Sequence, residues 1–150
     1  MINGKFISSS LKETQEIGSG VAKKLKKGDI VFLSGILGAG KTELIRGIAK
    51  GLGIKSKITS PTFNILRTYE IPQGGEFYHF DCYRLKKYTD LIELGWEEIL
   101  ADPEAVIVLE WPECLVDKDI INTIDGRSLR VKIEVERDKR IINIKAQNLN

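Results

Sequence analysis

The chain has 150 residues, and 42% of them are hydrophobic, which is enough apolar material to bury one core of ordinary size. We therefore expect a single domain over residues 1–150. The net charge of +2 is too small to indicate a strong nucleic-acid-binding surface, while one histidine and two distant cysteines argue against a zinc site or a disulfide framework. The sequence shows neither a signal peptide nor an apolar run that could cross a membrane, so we expect a cytoplasmic protein.

The first half of the chain is predicted to alternate between helices and strands. Ser10 and Glu13 form a capping box that should begin a helix, and Gly28 should end it. A buried strand is predicted at residues 30–33, followed by a glycine-rich loop and a second helix that begins near residue 43. Strands at residues 63–69 and 76–80 should then form a hairpin, because Pro72-Gln73-Gly74-Gly75 supplies the turn residues.

The glycine-rich loop is the most specific motif in the sequence. It reads Gly35-Ile36-Leu37-Gly38-Ala39-Gly40-Lys41-Thr42, a complete GxxxxGK[ST] phosphate-binding loop between a strand and a helix. Gly35, Gly38, Ala39 and Gly40 would let backbone N–H groups surround phosphate oxygens. Lys41 would add a charge for the β and γ phosphates, and Thr42 a hydroxyl for Mg²⁺. A nucleoside triphosphate is therefore the expected ligand.

The second half of the chain is predicted to contain a short helix and three strands. The helix should cover residues 89–94, and the continuous apolar run at 105–109 indicates a strand that is buried on both faces. Apolar and charged residues alternate at 129–136, and Asp138-Lys139 should turn the chain into a last strand at 142–144. Together the elements predict a three-layer α/β domain of the P-loop nucleoside triphosphatase kind, with a mixed, mostly parallel central sheet and antiparallel hairpins.

Two acidic residues follow predicted strands and could complete a catalytic site. Asp81 follows the strand at 76–80, and Glu110 follows the run at 105–109. Both would emerge at the sheet edge that holds the phosphate loop if their strands are parallel to the loop strand. Hydrolysis needs such a carboxylate near Mg²⁺ and a group that orients water. The alternative is that each is an ordinary surface acid at the end of a strand.

Four more residues have both a functional and a structural interpretation. His79 would share a strand face with Asp81 and support it, or would simply be packed in the core. Trp111 directly follows Glu110 and should be a core or pocket-wall residue. Ser60 and Thr62 follow the phosphate-loop helix, where they either form a switch that senses the γ phosphate or initiate a turn.

Several segments together resemble the bacterial TsaE family, which are small ATPases of threonylcarbamoyl-adenosine synthesis in tRNA. The order and spacing of these segments are far more specific than the phosphate loop by itself, and they extend over most of the chain. They are Thr14 with Gly18, the loop Leu37–Thr42, Ser60-Pro61-Thr62-Phe63, His79-Phe80-Asp81 with Tyr83-Arg84, Leu94-Gly95, and Glu110-Trp111-Pro112.

The resemblance implies roles for the candidate residues. Lys41 would contact phosphate, Thr42 and Glu110 would bind Mg²⁺, and Asp81 would support metal or water. Residues 60–62 would form the mobile switch. The adenine base would be held loosely by Leu11 and Thr14 at the start of the first helix and by Arg140 in the last hairpin.

The resemblance also implies an accessory role. In the family, ATP turnover by TsaE supports the TsaB and TsaD pair, which transfers threonylcarbamoyl to adenosine in tRNA, and TsaE does not perform that transfer. The ATPase should be weak alone, because the chain shows no obvious arginine finger and a partner could supply the missing charge. We expect tRNA to be reached through the complex rather than by this chain alone, since its net charge is small.

The chain departs from the family pattern at three positions. Ile36 stands where the family usually has an acid, Glu43 where it often has a second hydroxyl, and Cys82 where it usually has an aliphatic residue. Losing the acid at position 36 lowers repulsion beside a triphosphate but also removes a hydrogen-bond acceptor. The change at Cys82 should affect packing only.

Two other functional classes also use this loop. A small-molecule kinase usually adds a lid domain that shields the acceptor from water, and 150 residues leave little space for one. A guanine-nucleotide switch would carry a DxxG segment and an NKxD guanine reader, and neither occurs in the sequence.

Overall fold

The computed structural model describes residues 3–36, 38–59 and 65–147. In this part of the chain, strands and helices alternate through most of the sequence, and two strands close it. The elements are β1 (Gly4–Ser8), α1 (Leu11–Ala22), β2 (Ile30–Gly35), α2 (Lys41–Gly51), β3 (Leu66–Glu70), β4 (Glu76–Asp81), α3 (Tyr88–Ile92), α4 (Trp96–Leu100), β5 (Val106–Glu110), a 3₁₀ turn (Pro112–Cys114), α5 (Ile120–Thr123), β6 (Ser128–Glu136) and β7 (Lys139–Gln147).

The strands form one mixed sheet in the order β1-β7-β6-β2-β5-β4-β3. The four central strands, β6, β2, β5 and β4, are mutually parallel, whereas β3 and β7 run antiparallel to their neighbours as the predicted hairpins require. The predicted mixed α/β sheet with a parallel centre is therefore confirmed. Because β2, β4 and β5 are parallel, their carboxyl ends meet at one edge of the sheet, and the phosphate loop begins there.

Helices cover both faces of the central strands and make three layers. On β2, Val31 and Leu33 point into a core shared with α1 and α2, while Ile30 and Phe32 point into a second core shared with α3, α4 and α5. All four side chains are at most 2% exposed. This burial on both faces explains why the β2 and β5 sequences are continuous apolar runs rather than alternating ones.

Two glycines let α1 and α2 approach at backbone distance. A Cβ atom on Gly18 would overlap the carbonyl oxygen of Leu44, and one on Gly47 would overlap the carbonyl oxygen of Gln15. The helices therefore touch where any side chain would separate them. This contact sets the position of the start of α1 relative to the phosphate loop at the start of α2.

The capping box at the start of α1 is present in a shifted form. Ser10 is the N-cap residue, and its hydroxyl accepts a hydrogen bond from Glu13 N at 3.0 Å. The Glu13 carboxylate accepts from Ser9 N rather than from Ser10 N, at 2.6 Å. The helix begins where the pattern predicts, but it ends at Ala22 instead of continuing to Gly28, because Lys24 N donates back to Val21 O and tightens the last turn.

Several other elements differ from the predictions. Strand β1 was not predicted, because its residues are mostly exposed and acquire strand structure only by pairing with β7. Helices α4 and α5 were also not predicted, since five and four residues are too few to show helical periodicity. Helix α3 covers residues 88–92 rather than 89–94. Strand β3 begins at residue 66, while residues 63 and 64 lie outside the described part. No helix among the described residues is both long and apolar enough to span a bilayer.

Candidate functional site

The phosphate loop connects the end of β2 to the start of α2. Gly38 and Gly40 have φ angles of +80° and +104°, which is the left-handed region that glycine adopts without strain. Gly40 is the N-cap of the 11-residue helix α2 and offers no side chain to cap it. The N–H groups of the first turn are thus left to a ligand, and the helix dipole favours an anion there. Leu37 lies outside the described residues.

Lys41 is held over the beginning of this loop. Its Nζ donates to the carbonyl oxygens of Gly35 and Ile36, the latter at 3.3 Å. The same Nζ lies 4.1 Å from the centroid of the Trp111 ring. Burial lowers the pKa of Lys41, and the nearby carboxylates of Glu110 and Asp81 oppose that shift. The ammonium is therefore fixed at the junction between the phosphate loop and the ends of the strands.

Asp81 and Glu110 emerge side by side at the ends of β4 and β5, where they are register partners. Asp81 Oδ1 accepts a hydrogen bond from Tyr83 N at 3.0 Å. Burial raises the pKa of Asp81, and Glu110 adds to the increase, while the Tyr83 amide, His79 and Lys41 act against it. The expectation that both acids reach the edge with the phosphate loop rested on parallel strands, and the sheet has them parallel.

His79 is buried in the sheet and forms a hydrogen bond with Glu110. Its Nε2 lies 2.6 Å from Glu110 Oε2, and its side chain is completely buried. An ionised carboxylate only accepts hydrogen bonds, so His79 donates from Nε2 to an ionised Glu110. Its Nδ1 has no hydrogen-bond partner in the described part of the chain. This contact engages one oxygen of Glu110 and leaves the other without this hydrogen bond.

These groups line a cavity of about 510 Å³ between the phosphate loop, the strand ends, the start of α1 and the turn between β6 and β7. Most of the predicted site residues that are described line it: Leu11, Thr14, Gly38, Ala39, Gly40, Lys41, Thr42, Asp81, Glu110, Trp111 and Arg140. Gly35 and His79 do not line the cavity but contact Lys41 and Glu110 respectively. The predicted switch residues Ser60 and Thr62 are outside the described residues.

The side of the cavity opposite the acids is built from α1 and β7. Leu11 is 65% exposed, so an apolar surface is open there. Thr14 is buried, and its hydroxyl lies 2.7 Å from Ser8 Oγ. Arg140 reaches back from β7 to the loop, where its Nη2 lies 3.5 Å from Gly38 O. An apolar side chain and a planar cation thus line the same cavity.

Five further residues line the cavity that sequence reasoning did not assign to the site: Ser8, Ser9, Ser10, Glu43 and Asp138. The two serines at the end of β1 gave no signal because that strand was not predicted. Ser10 was identified only as a helix cap, and Asp138 only as a turn residue. The one signal that could have identified Asp138 is its position two residues before Arg140 in the predicted last hairpin.

The three departures from the family pattern have distinct structural settings. Glu43 binds Arg46 and accepts from Gln15 Nε2 at 2.6 Å, so its carboxylate links α2 to α1. Ile36 is 64% exposed, and its carbonyl rather than its side chain contacts Lys41. Cys82 is fully buried, and burial raises its pKa strongly, consistent with a packing role.

The donor set fits a metal ion that is shared with a ligand. Thr42, Asp81 and Glu110 offer one hydroxyl and two carboxylates to the same cavity. Among the described residues there is no group of three or more histidine, cysteine or acidic side chains that could hold a metal ion by themselves. Mg²⁺ typically takes one or two protein carboxylates and completes its shell with phosphate oxygens and water.

Comparisons with known proteins agree with this geometry. The family described as "Threonylcarbamoyl adenosine biosynthesis protein TsaE" matches residues 8–142. A tRNA threonylcarbamoyladenosine biosynthesis protein TsaE of Rickettsia typhi is 38% identical over 142 residues, which cover 93% of each chain. The protein of the same name from Streptomyces coelicolor is 45% identical over 106 residues, covering 69% of this chain and 70% of its own.

A solved structure is similar over nearly the whole chain. The crystal structure of YdiB from Bacillus subtilis superposes with a TM-score of 0.72 at 30% sequence identity, covering 97% of this chain and 86% of that one. The phosphate loop, the paired acids and the match to residues 8–142 therefore lead to one conclusion. The chain belongs to the TsaE family, whose name places it in threonylcarbamoyl-adenosine biosynthesis.

Proposed function

We propose that this chain is a cytoplasmic, single-domain ATPase that binds and hydrolyses Mg-ATP to support a TsaB–TsaD complex in threonylcarbamoyl-adenosine modification of tRNA. One observation carries the proposal: the phosphate loop, Lys41 and the two strand-end acids face one cavity of about 510 Å³. The pathway is motivated by relatives named tRNA threonylcarbamoyladenosine biosynthesis protein TsaE. The ATPase activity and the TsaB and TsaD partners are part of the proposal.

The triphosphate would be held mainly by backbone. The glycine loop and the first turn of α2 present N–H groups, and Lys41 has one N–H left after donating to two carbonyl oxygens. That donor would contact the β and γ phosphates. The base would lie against Leu11 and Thr14 on one side and Arg140 on the other.

The carboxylates would handle the metal and the water. Thr42, Glu110 and Asp81 would hold Mg²⁺, which when bound neutralises charge that develops on the phosphates. Because His79 holds one Glu110 oxygen, the other is free to face the metal or a water. Asp81 is held by a hydrogen bond from the Tyr83 amide, and its carboxylate would help to orient the same metal or water. Position, rather than covalent chemistry, is what these residues contribute.

The composition of the site supports the proposal that the ATPase is weak alone. Arg140 is the only arginine among the described residues lining the cavity, and it points to the Gly38 carbonyl on the loop. No second arginine among the described residues lines the cavity in which the charge of phosphoryl transfer would develop. A partner that inserts a cation there would accelerate turnover by up to about 10³–10⁵-fold. This supports an accessory role in which tRNA is reached through the complex.

The test is ATP hydrolysis by the purified chain with and without purified TsaB and TsaD. We expect slow turnover alone and at least tenfold stimulation by the pair, with the Glu110→Gln variant as the control for contaminating ATPases. ATP should also compete better than GTP for the site. An absence of stimulation would contradict the accessory role, and transfer of phosphate to a small metabolite would favour the kinase alternative.

A further inference from the structure

Trp111 occupies an unusual backbone conformation between the acids and the phosphate loop. It directly follows Glu110 with a φ of +57°, a left-handed conformation that is uncommon for a bulky residue. Its N–H donates to Leu33 O at 3.1 Å, which ties the turn to the end of β2. The chain thereby turns sharply as it leaves the sheet, and the indole lies on the cavity wall beside Lys41.

The indole and two carbonyl groups surround the ammonium of Lys41. The Nζ atom is 4.1 Å from the ring centroid, well within the range of a cation–π contact. Two of its three N–H groups are used by Gly35 O and Ile36 O. Lys41 is only 6% exposed, so water covers little of its surface. Lys41 also lines the cavity, so its remaining N–H is available to a ligand bound there.

The indole also contacts a second aromatic ring. The Tyr83 ring lies 5.1 Å from the Trp111 ring, centroid to centroid, at an interplanar angle of 55°. The backbone N–H of Tyr83 holds Asp81. Each acid is thus followed closely by an aromatic residue, and the two rings pack on each other beside the lysine. This arrangement restricts the indole to the position in which its ring faces Lys41.

We propose that Trp111 is a positioning residue for Lys41, holding the ammonium so that its remaining N–H is aimed at the β and γ phosphates. The inference rests on the proposed nucleotide site and deepens it. It identifies an aromatic face as the element that, together with two backbone carbonyl groups, keeps this lysine in place. A ligand with a β phosphate gains from the arrangement, whereas a nucleoside monophosphate does not reach the ammonium.

Calorimetric titration of three proteins with Mg-ATP and with AMP tests the proposal. Trp111→Leu keeps an apolar side chain but removes the π face, and Trp111→Phe keeps a weaker one. We expect Trp111→Leu to weaken Mg-ATP binding by about tenfold and Trp111→Phe by less than about threefold, with AMP binding unchanged in both. Equal Mg-ATP binding by wild type and Trp111→Leu would overturn the proposal, and so would an equal loss for AMP.

The same experiment separates this proposal from the function on which it rests. If the wild-type chain does not bind Mg-ATP, the proposed function fails. If wild type binds and Trp111→Leu binds equally well, only the role of Trp111 fails. Thermal unfolding of each variant shows whether a loss of affinity reflects a loss of fold.

Fluorescence provides a measurement that does not need the leucine variant to fold. The chain has two tryptophans, and Trp96 is fully buried in the core, so subtracting the spectrum of Trp111→Phe from that of the wild type leaves the emission of Trp111. We expect Lys41→Met to change that emission in the nucleotide-free protein, because the cation over the ring is lost. Lys50→Met, an exposed position in the same helix, serves as the matched control and should leave it unchanged. Identical emission in the Lys41→Met protein would contradict the contact.

Discussion

The two sides of the candidate site are built in opposite ways. The phosphate side comes from eight consecutive residues, 35–42, and offers mostly backbone groups whose directions are set by glycines and by the start of α2. The acid side comes from the ends of two strands, where Asp81 and Glu110 meet only because β4 and β5 are register partners. The phosphate side therefore depends on local conformation. The acid side depends on tertiary structure and on side-chain contacts.

This difference separates binding from turnover. Backbone groups in a loop fixed by glycines remain in place when a side chain is changed, so the phosphate side should retain ligand affinity through most substitutions. The carboxylates need supporting contacts, since Glu110 is buried beside His79 and Asp81 is tethered to Tyr83. We therefore expect substitutions of Glu110, or of His79 that holds it, to reduce turnover while sparing affinity.

The largest effect on nucleotide affinity should come from Lys41, the one side chain that the phosphate side requires. Lys41→Ala removes the ammonium but leaves the loop glycines, and we expect the affinity for Mg-ATP to fall by about 100-fold. Lys50→Ala, in the last turn of the same helix, is the matched control and should bind like wild type. Calorimetric titration measures both. Retention of wild-type affinity in Lys41→Ala would show that the backbone alone carries binding.

The phosphate side also depends on the contact between α1 and α2. Gly47→Ala would force a methyl group into the Gln15 carbonyl, and we expect it to lower the free energy of unfolding by about 1–3 kcal/mol. Gly20→Ala is the control, because a Cβ there meets nothing within 4 Å. Alanine should stabilise that helix position by about 0.5–1 kcal/mol. Chemical denaturation measures both values, and a neutral Gly47→Ala would contradict the close contact.

A smaller and selective effect is expected from the residue that supports Glu110. His79→Leu removes the hydrogen bond to Glu110, and we expect ATP turnover to fall by about tenfold with little change in Mg-ATP affinity. His79→Gln keeps an N–H donor and should retain more activity than His79→Leu. Steady-state kinetics of the two variants decide the point. Equal turnover in both would show that the Glu110 contact does not matter for hydrolysis.

The smallest effect concerns the stability of the nucleotide-free protein. Burial raises the pKa of Asp81 above its ordinary value of 3.8, so the folded state binds this proton more tightly than the unfolded state does. Stability from this group is therefore lost as pH rises from about 3.8 through the raised value. We expect Asp81→Asn to raise Tm at pH 7 by about 1–3 °C and to flatten that pH dependence. A lower Tm in the variant would contradict this sign.

The fold could be predicted where the pattern is local or strongly periodic. The apolar runs of β2 and β5, the alternation of β6 and the turn residues before β4 each indicated an element that the structure contains. The edge strand β1 could not be predicted, since its structure depends on pairing with a strand more than 130 residues away. The short helices α4 and α5 carry too few residues for a periodic signal.

The same distinction applies to the site. Lys41 and Thr42 could be identified from the motif alone, because the loop geometry is encoded in adjacent residues. The meeting of Asp81 with Glu110 followed from an assumption about strand direction. The contact between His79 and Glu110 joins residues 31 positions apart on different strands, so sequence spacing could not reveal it. The functional roles assigned to these residues remain predictions, as does the switch at Ser60 and Thr62.

The separation of binding from turnover is tested most directly on Glu110→Gln in the presence of TsaB and TsaD. Glutamine keeps the size of the side chain but removes its charge, so the metal and water lose a ligand while the phosphate loop is untouched. We predict that Mg-ATP affinity stays within about threefold of wild type while the turnover rate falls by about 10²–10³-fold. Wild-type turnover in this variant, or an equal loss of affinity and turnover, would contradict the account.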